Sequence, residues 1–108
     1  AEQASALLDK LATRLAENPG LAKEAGALVE LRISGPDTVW ALDLTGTGTI
    51  ARGPAKDPTI VLTLSDDDFA SLAKSETSVR DLFQHGKLRI DGDLRVAHRL
   101  GFLAGVGN

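Results

Sequence analysis

Val29-Glu30-Leu31-Arg32-Ile33-Ser34 runs through Gly35-Pro36-Asp37 into Trp40-Ala41-Leu42-Asp43-Leu44-Thr45, and this stretch decides the fold class. Val29, Leu31 and Ile33 alternate with Glu30, Arg32 and Ser34, the period of two that marks a half-buried strand. Gly35-Pro36-Asp37 is a turn signal, after which Trp40, Leu42 and Leu44 resume the alternation. Further along, Gly48 to Arg52 predicts a short third strand. Two prolines and a glycine in Gly53-Pro54-Ala55-Lys56-Asp57-Pro58 interrupt either ladder, so that segment reads as a loop. Thr59 to Leu64 restores alternation through Ile60, Leu62 and Leu64.

On either side the period changes to that of a helix. Ala4, Leu7, Leu8, Leu11, Ala12 and Leu15 form one apolar stripe over Gln3 to Glu17. Asn18-Pro19-Gly20 stops that helix, and Leu21 to Gly26 has room for at most a short turn or two. Downstream, Ser65 with Asp68 and Ser78 with Asp81 have the spacing of N-terminal caps, each ahead of an apolar face. Gly86 suits a helix C-terminus, and Leu88 and Ile90 alternate with charged residues in a fifth strand. Asp93 then caps a last helix carrying Val96, Ala97, Leu100, Gly101, Leu103 and Ala104. The tail Gly105-Val106-Gly107-Asn108 is expected to fray. This order of elements is α+β.

The chain has 108 residues, which fits a single domain over 1–108 with one core. A 43% hydrophobic and 25% charged composition is that of a globular protein. Net charge −3 argues against a nucleic-acid partner. The absence of cysteine excludes disulfides, a thiol nucleophile and thiolate metal sites. No apolar run is long enough to span a bilayer, and Ala1-Glu2-Gln3 lacks the basic start of a signal peptide. From Ser78 onward five bases face three acids, whereas the first 77 residues carry seven bases and twelve acids. The basic C-terminal third suits transient contact with an anionic membrane surface or an acyl-CoA phosphate, and solvated helix faces explain the same count.

Motifs for catalysis are weak. Gly46-Thr47-Gly48-Thr49-Ile50-Ala51 has the spacing of a dinucleotide fingerprint, but Arg52-Gly53-Pro54 cannot start the helix that motif needs, so a hairpin is expected instead. Asp66-Asp67-Asp68 reads as a helix first turn rather than a cation site. His85 and His98 stand outside any nucleophile or metal motif. No catalytic residue, metal or cofactor is expected. The sheet and the helices together offer more apolar face than a simple two-layer contact requires. Patterning alone leaves open whether the layers pack solidly or stand apart around a cavity.

Phe83-Gln84-His85-Gly86-Lys87-Leu88-Arg89-Ile90-Asp91-Gly92-Asp93, followed by Ala97, Arg99 and Leu100, resembles the signature of the sterol carrier protein 2 (SCP2) family. Trp40-Ala41-Leu42-Asp43-Leu44, Gly53-Pro54 and Leu64-Ser65-Asp66-Asp67-Asp68-Phe69 agree with it in the same order. The resemblance covers about residues 3 to 104. It implies a five-stranded, largely antiparallel sheet covered by helices that enclose a hydrophobic tunnel for fatty acid, fatty acyl-CoA, phospholipid or sterol. The activity implied is lipid binding or transfer without catalysis. The alternative is an accessory domain that presents lipid to a fused or partner lipid-metabolising enzyme. Residues expected to line the tunnel are Trp40, Leu42, Phe69, Leu72, Phe83, Leu88, Val96, Leu100 and Leu103. Some members hold a fatty-acid carboxylate with basic residues at the end of the first helix and in the loop after it, which corresponds to Arg14 and Lys23 here. Animal members often end in a Ser-Lys-Leu-like peroxisomal signal, and this chain ends Val106-Gly107-Asn108, so the expected location is cytoplasmic.

Overall fold

The alternating stretch forms the two antiparallel strands that it predicts. The structure, a computed structural model, describes residues 2–46 and 48–107. Strands β1 (Ala27–Ser34) and β2 (Thr38–Leu44) pair with Leu31 opposite Trp40 and Val29 opposite Leu42. β3 (Thr49–Arg52) continues the meander on β2. β4 (Ile60–Ser65) lies on the other side of β1 and runs parallel to it. β5 (Arg89–Gly92) closes the order β3-β2-β1-β4-β5 as an antiparallel edge. The fold is therefore α+β, with a largely antiparallel five-stranded sheet and one parallel pair.

That parallel pair follows from the proline-rich loop. A tight turn after β3 would have placed the next strand at its outer edge. Instead the chain crosses back over the sheet, guided by hydrogen bonds from Gly53 N to Val39 O and from Thr59 N to Leu28 O, both 2.8 Å. Midway, the Ala55 amide donates to Glu30 Oε1 at 3.0 Å, and Arg32 Nε donates to Glu30 Oε2 at 2.6 Å. Glu30 is only 4% exposed, although its place in the alternation puts it on the side away from Leu31. The loop covers it there and supplies one donor, and Arg32 of β1 supplies the other that a buried carboxylate requires.

Helices cover the opposite face. In α1 (Ala4–Glu17) the residues Leu7, Leu8, Leu11 and Leu15 are buried, as their spacing predicts. The Asn18-Pro19-Gly20 segment does end α1, but Pro19 also opens α2 (Pro19–Ala25), where a missing N–H at the first position costs nothing. The β2–β3 connection is the expected hairpin, with Thr47 outside the described residues. Gly48 there has φ +73°, and a Cβ would lie 3.1 Å from Leu15 Cβ. The left-handed backbone and the close approach of α1 both call for glycine.

α3 (Asp66–Ala73) and α4 (Val79–Gln84) begin at the predicted caps. Ser65 Oγ accepts from Asp68 N, and Ser78 Oγ accepts from Asp81 N, each at 3.0 Å. Asp66 does more than occupy a first turn. It is 1% exposed, and its carboxylate accepts from Gln3 N and Ala4 N at 3.0–3.1 Å. It thereby satisfies two free amides at the start of α1, whose N-cap residue Gln3 makes no side-chain cap bond, while Glu2 accepts from Ser5 N.

Two expectations for the C-terminus are corrected. The last helix does not continue to Ala104. It divides into α5 (Leu94–His98) and a 3₁₀ turn at Gly101–Leu103, because the bonds tighten to three-residue spacing from Arg99 N to Val96 O onward. The tail does not fray over its described part. Gly105 N donates to Leu72 O at 3.1 Å and Gly107 N to Ala73 O at 2.8 Å, and Val106 is 3% exposed. A Cβ on Gly107 would lie 2.8 Å from Leu7 Cδ2, so the chain is seated directly on α1 and α3. Asn108 lies outside the described residues. Among the described residues no helix is long and apolar enough to cross a membrane.

Candidate functional site

The C-terminal corner leaves an opening that the rest of the helical layer does not. The final segment carries two sets of residues with the same i, i+4, i+7 spacing. Val96, Leu100 and Leu103 are buried in the core at 0–1% exposure. Ala97, Gly101 and Ala104 turn to the other side and line a cleft of about 560 Å³. Small side chains on that side leave the space between α5 and α4 unfilled, and a Cβ added to Gly101 would meet nothing within 4 Å. Val79 and Phe83 of α4, Ile90 of β5 and Leu94 of α5 complete the apolar wall. The volume falls in the range of about 300–1,000 Å³ common for small-molecule sites.

Two wall residues stand out by exposure. Phe83 is 47% and Leu94 54% exposed, the large hydrophobic side chains left open to solvent among the described residues. They flank one cleft, so the exposed apolar surface is concentrated there instead of being scattered over the molecule. The polar lining consists of Ser78, Arg80 and His98, with no carboxylate. An apolar chain can be buried in such a cleft while a polar end remains at its rim.

The nine residues expected to line a tunnel fall into two groups. Phe83 lines the cleft. Trp40, Leu42, Phe69, Leu72, Leu88, Val96, Leu100 and Leu103 are buried in the one hydrophobic core. None of these eight is in the cleft lining. Trp40 is held by its Nε1 donating to Thr38 Oγ1 at 3.0 Å and by the Arg52 guanidinium 5.1 Å above the ring. Arg14 in the last turn of α1 is half-buried and Lys23 in α2 is exposed, and neither lines the cleft. His85 caps α4, with Nδ1 2.7 Å from Asp81 O, in a separate polar groove beside Glu76 and Asp81. Among the described residues no group of three potential metal ligands comes together.

Val79, Ile90, Leu94, Arg80 and His98 line the cleft but are not among the residues expected from the sequence to line a tunnel. A signal was present in Ala97-x-x-x-Gly101-x-x-Ala104, a run of small residues beside the larger one. The composition of that run does not by itself say which side the core takes.

A two-layer α+β domain with an apolar cleft and a cationic rim is the frame of a binding module. The family model described as the SCP-2 sterol transfer family matches residues 7–105, and the chain belongs to that family. Similar proteins include the fatty acid-binding protein of Yarrowia lipolytica, 35% identical over 81 residues that span 69% of this chain and 63% of that protein. Peroxisomal multifunctional enzyme A of Dictyostelium discoideum is 34% identical over 78 residues, which cover 70% of this chain but 18% of the enzyme. The match thus spans less than two thirds of either relative. Among solved structures, the apo form of sterol carrier protein 2 from Yarrowia lipolytica aligns with TM-score 0.71 at 28% identity, over 88% of this chain and 79% of that one. Sterol carrier protein 2 like 2 from Aedes aegypti shares the fold, with TM-score 0.78 at 20% identity over 92% and 94% of the two chains.

Proposed function

We propose that this chain is a non-catalytic lipid-binding and lipid-transfer module whose cleft between α4, β5 and α5 takes the hydrocarbon part of a fatty acid, fatty acyl-CoA, phospholipid or sterol. The observation that carries this reading is the convergence of the half-exposed Phe83 and Leu94 on one apolar cleft of about 560 Å³. Burying an acyl chain is worth about 0.8 kcal/mol per methylene, so such a cleft binds long chains with modest demands on the rest of the ligand. Membership of a sterol transfer family and similarity to a fatty acid-binding protein support the same class of ligand.

Native mass spectrometry of the purified, undelipidated protein tests this, paired with a Gly101→Phe variant. Gly101 lines the cleft, has open space at its Cβ position and has no positive φ, so the new ring enters the cleft without straining the backbone. The expected result is a lipid-sized adduct on the wild type that is lost from Gly101→Phe. A wild type that carries no lipid and takes up none of added fatty acid, acyl-CoA or sterol would overturn the proposal.

A second reading has its own support in the match to a segment of a multifunctional enzyme. In that reading the same cleft presents lipid to a fused or partner lipid-metabolising enzyme. It predicts faster turnover of a lipid substrate by that enzyme when this domain is present, and Gly101→Phe would abolish the gain.

A further inference from the structure

The cleft has a chemically distinct rim. Its lining contains Arg80 from α4 and His98 from α5, on the two helices that form opposing walls, and Ser78 beside Arg80. No acidic residue is in that lining. The local acids are engaged or face elsewhere. Asp93 is bound by Arg95 Nε and Nη2 at 3.0–3.1 Å, Asp91 pairs with Arg89 at 3.0 Å, and Asp81 borders the neighbouring polar groove. Glu24 lines an adjoining groove with Arg99 and Phe102, which shares His98 and Gly101 with the cleft. The Arg80 and His98 side chains form no hydrogen bond or ion pair among the described residues, so the donors of both are available.

The geometry points to Arg80 and His98 as residues that select an anionic head group and set the direction in which a single-chain lipid enters. This inference rests on the cleft being the lipid site. A guanidinium offers paired N–H donors that match the two oxygens of a carboxylate or the oxygens of a phosphate. An imidazole contributes at least one N–H in either charge state. With Phe83 and Leu94 flanking the apolar part, the tail occupies the space over Ala97 and Gly101 while the head remains at the Arg80–His98 edge. A neutral head at the same place gains nothing from the guanidinium charge.

Three probes with one chain length separate the contributions: dodecanoate, dodecyl phosphate and dodecan-1-ol, measured by calorimetric titration. The wild type is expected to prefer dodecanoate to dodecan-1-ol. Arg80→Gln is expected to weaken dodecanoate about tenfold while leaving the alcohol unchanged. His98→Gln should produce a smaller loss in the same direction. Lys56→Gln removes one exposed charge from the crossover loop on the opposite face of the sheet and should change none of the three. If dodecyl phosphate shows the same dependence on Arg80, the rim reads anionic oxygens in general; dependence confined to dodecanoate makes it selective for carboxylate. An acid preference that survives in the Arg80→Gln/His98→Gln double variant overturns the assignment and leaves the cleft as the site. Loss of that preference in Arg14→Gln but not in Arg80→Gln overturns it as well. Failure of all three probes to bind the wild type overturns both the assignment and the cleft.

Discussion

The wall that α1 and α3 build against the sheet and the corner that α4 and α5 build against β5 use the same helical spacing to opposite ends. Along α1 the inward positions are Leu7, Leu8, Leu11 and Leu15, and Phe69 and Leu72 of α3 meet them, all at or below 7% exposure. Along the final segment the positions facing α4 are Ala97, Gly101 and Ala104, and a cleft remains. Large residues in an i, i+4 row close a layer, while small ones leave it open where a second row on the same segment anchors that segment. Val96, Leu100 and Leu103 provide that anchor. A fold can therefore keep an apolar opening without surrendering its core, because adjacent residues divide the two tasks.

Adjacent substitutions test that division most severely. Leu100 is fully buried, and Leu100→Ala is expected to cost about 3 kcal/mol in chemical denaturation. Gly101→Phe, one residue along, should leave the denaturation midpoint nearly unchanged and abolish lipid uptake. A large stability loss at Gly101, or none at Leu100, would mean that the two rows do not divide as described. On the closed side, Asp66→Ala is expected to cost about 2 kcal/mol, because the amides of Gln3 and Ala4 lose their acceptor. Lipid binding per folded molecule should remain, since Asp66 lies outside the cleft lining. Phe83→Ser reverses that outcome. Its ring is half-exposed, so stability should change by no more than about 0.5 kcal/mol. Affinity for a long-chain probe should fall about tenfold, as the ring no longer covers the bound chain.

The same contrast shows what was legible in the residues. Strands with one buried face announce themselves by alternation, so β1, β2 and β4 were readable at once, and the serine caps of α3 and α4 were readable because their partners lie three residues away. The stripe of α1 was readable for the same local reason. Features that depend on distant partners were not. Nothing near Asp66 indicates that it will cap a helix that begins more than sixty residues earlier. Val106, a lone apolar residue among glycines, has no periodicity, and its burial depends on carbonyls of Leu72 and Ala73. Glu30 lies on the face its alternation predicts and is buried there only because the proline-rich loop returns across it. In the site, Phe83 was legible as a large apolar residue in a family motif. Arg80 and Leu94 were not, because a cleft is defined by the space between side chains and no single position records it.

The smallest expected effect concerns the start of α5, on the open corner. Asp93 caps this helix, its Oδ1 accepting from Arg95 N at 2.9 Å while the Arg95 side chain pairs with the carboxylate. The side-chain hydrogen bond from Arg95, followed by the backbone bond, holds the Asp93 carboxyl below its ordinary value. A depressed folded value means that its contribution is present above the unfolded value near pH 3.9 and is lost as pH falls through the folded one. The pair is exposed, so the effect is local rather than global. Hydrogen-exchange protection at Arg95 and Val96, corrected for the intrinsic rate at each pH, should fall on acidification below about pH 4, while the β1 amides stay protected. Asp93→Asn keeps a capping oxygen but has no charge to lose, and should show no such acid-dependent step. A step that persists in Asp93→Asn would place the acid-sensitive group elsewhere. Parallel loss of protection in β1 would show that the open corner and the closed wall unfold as one unit.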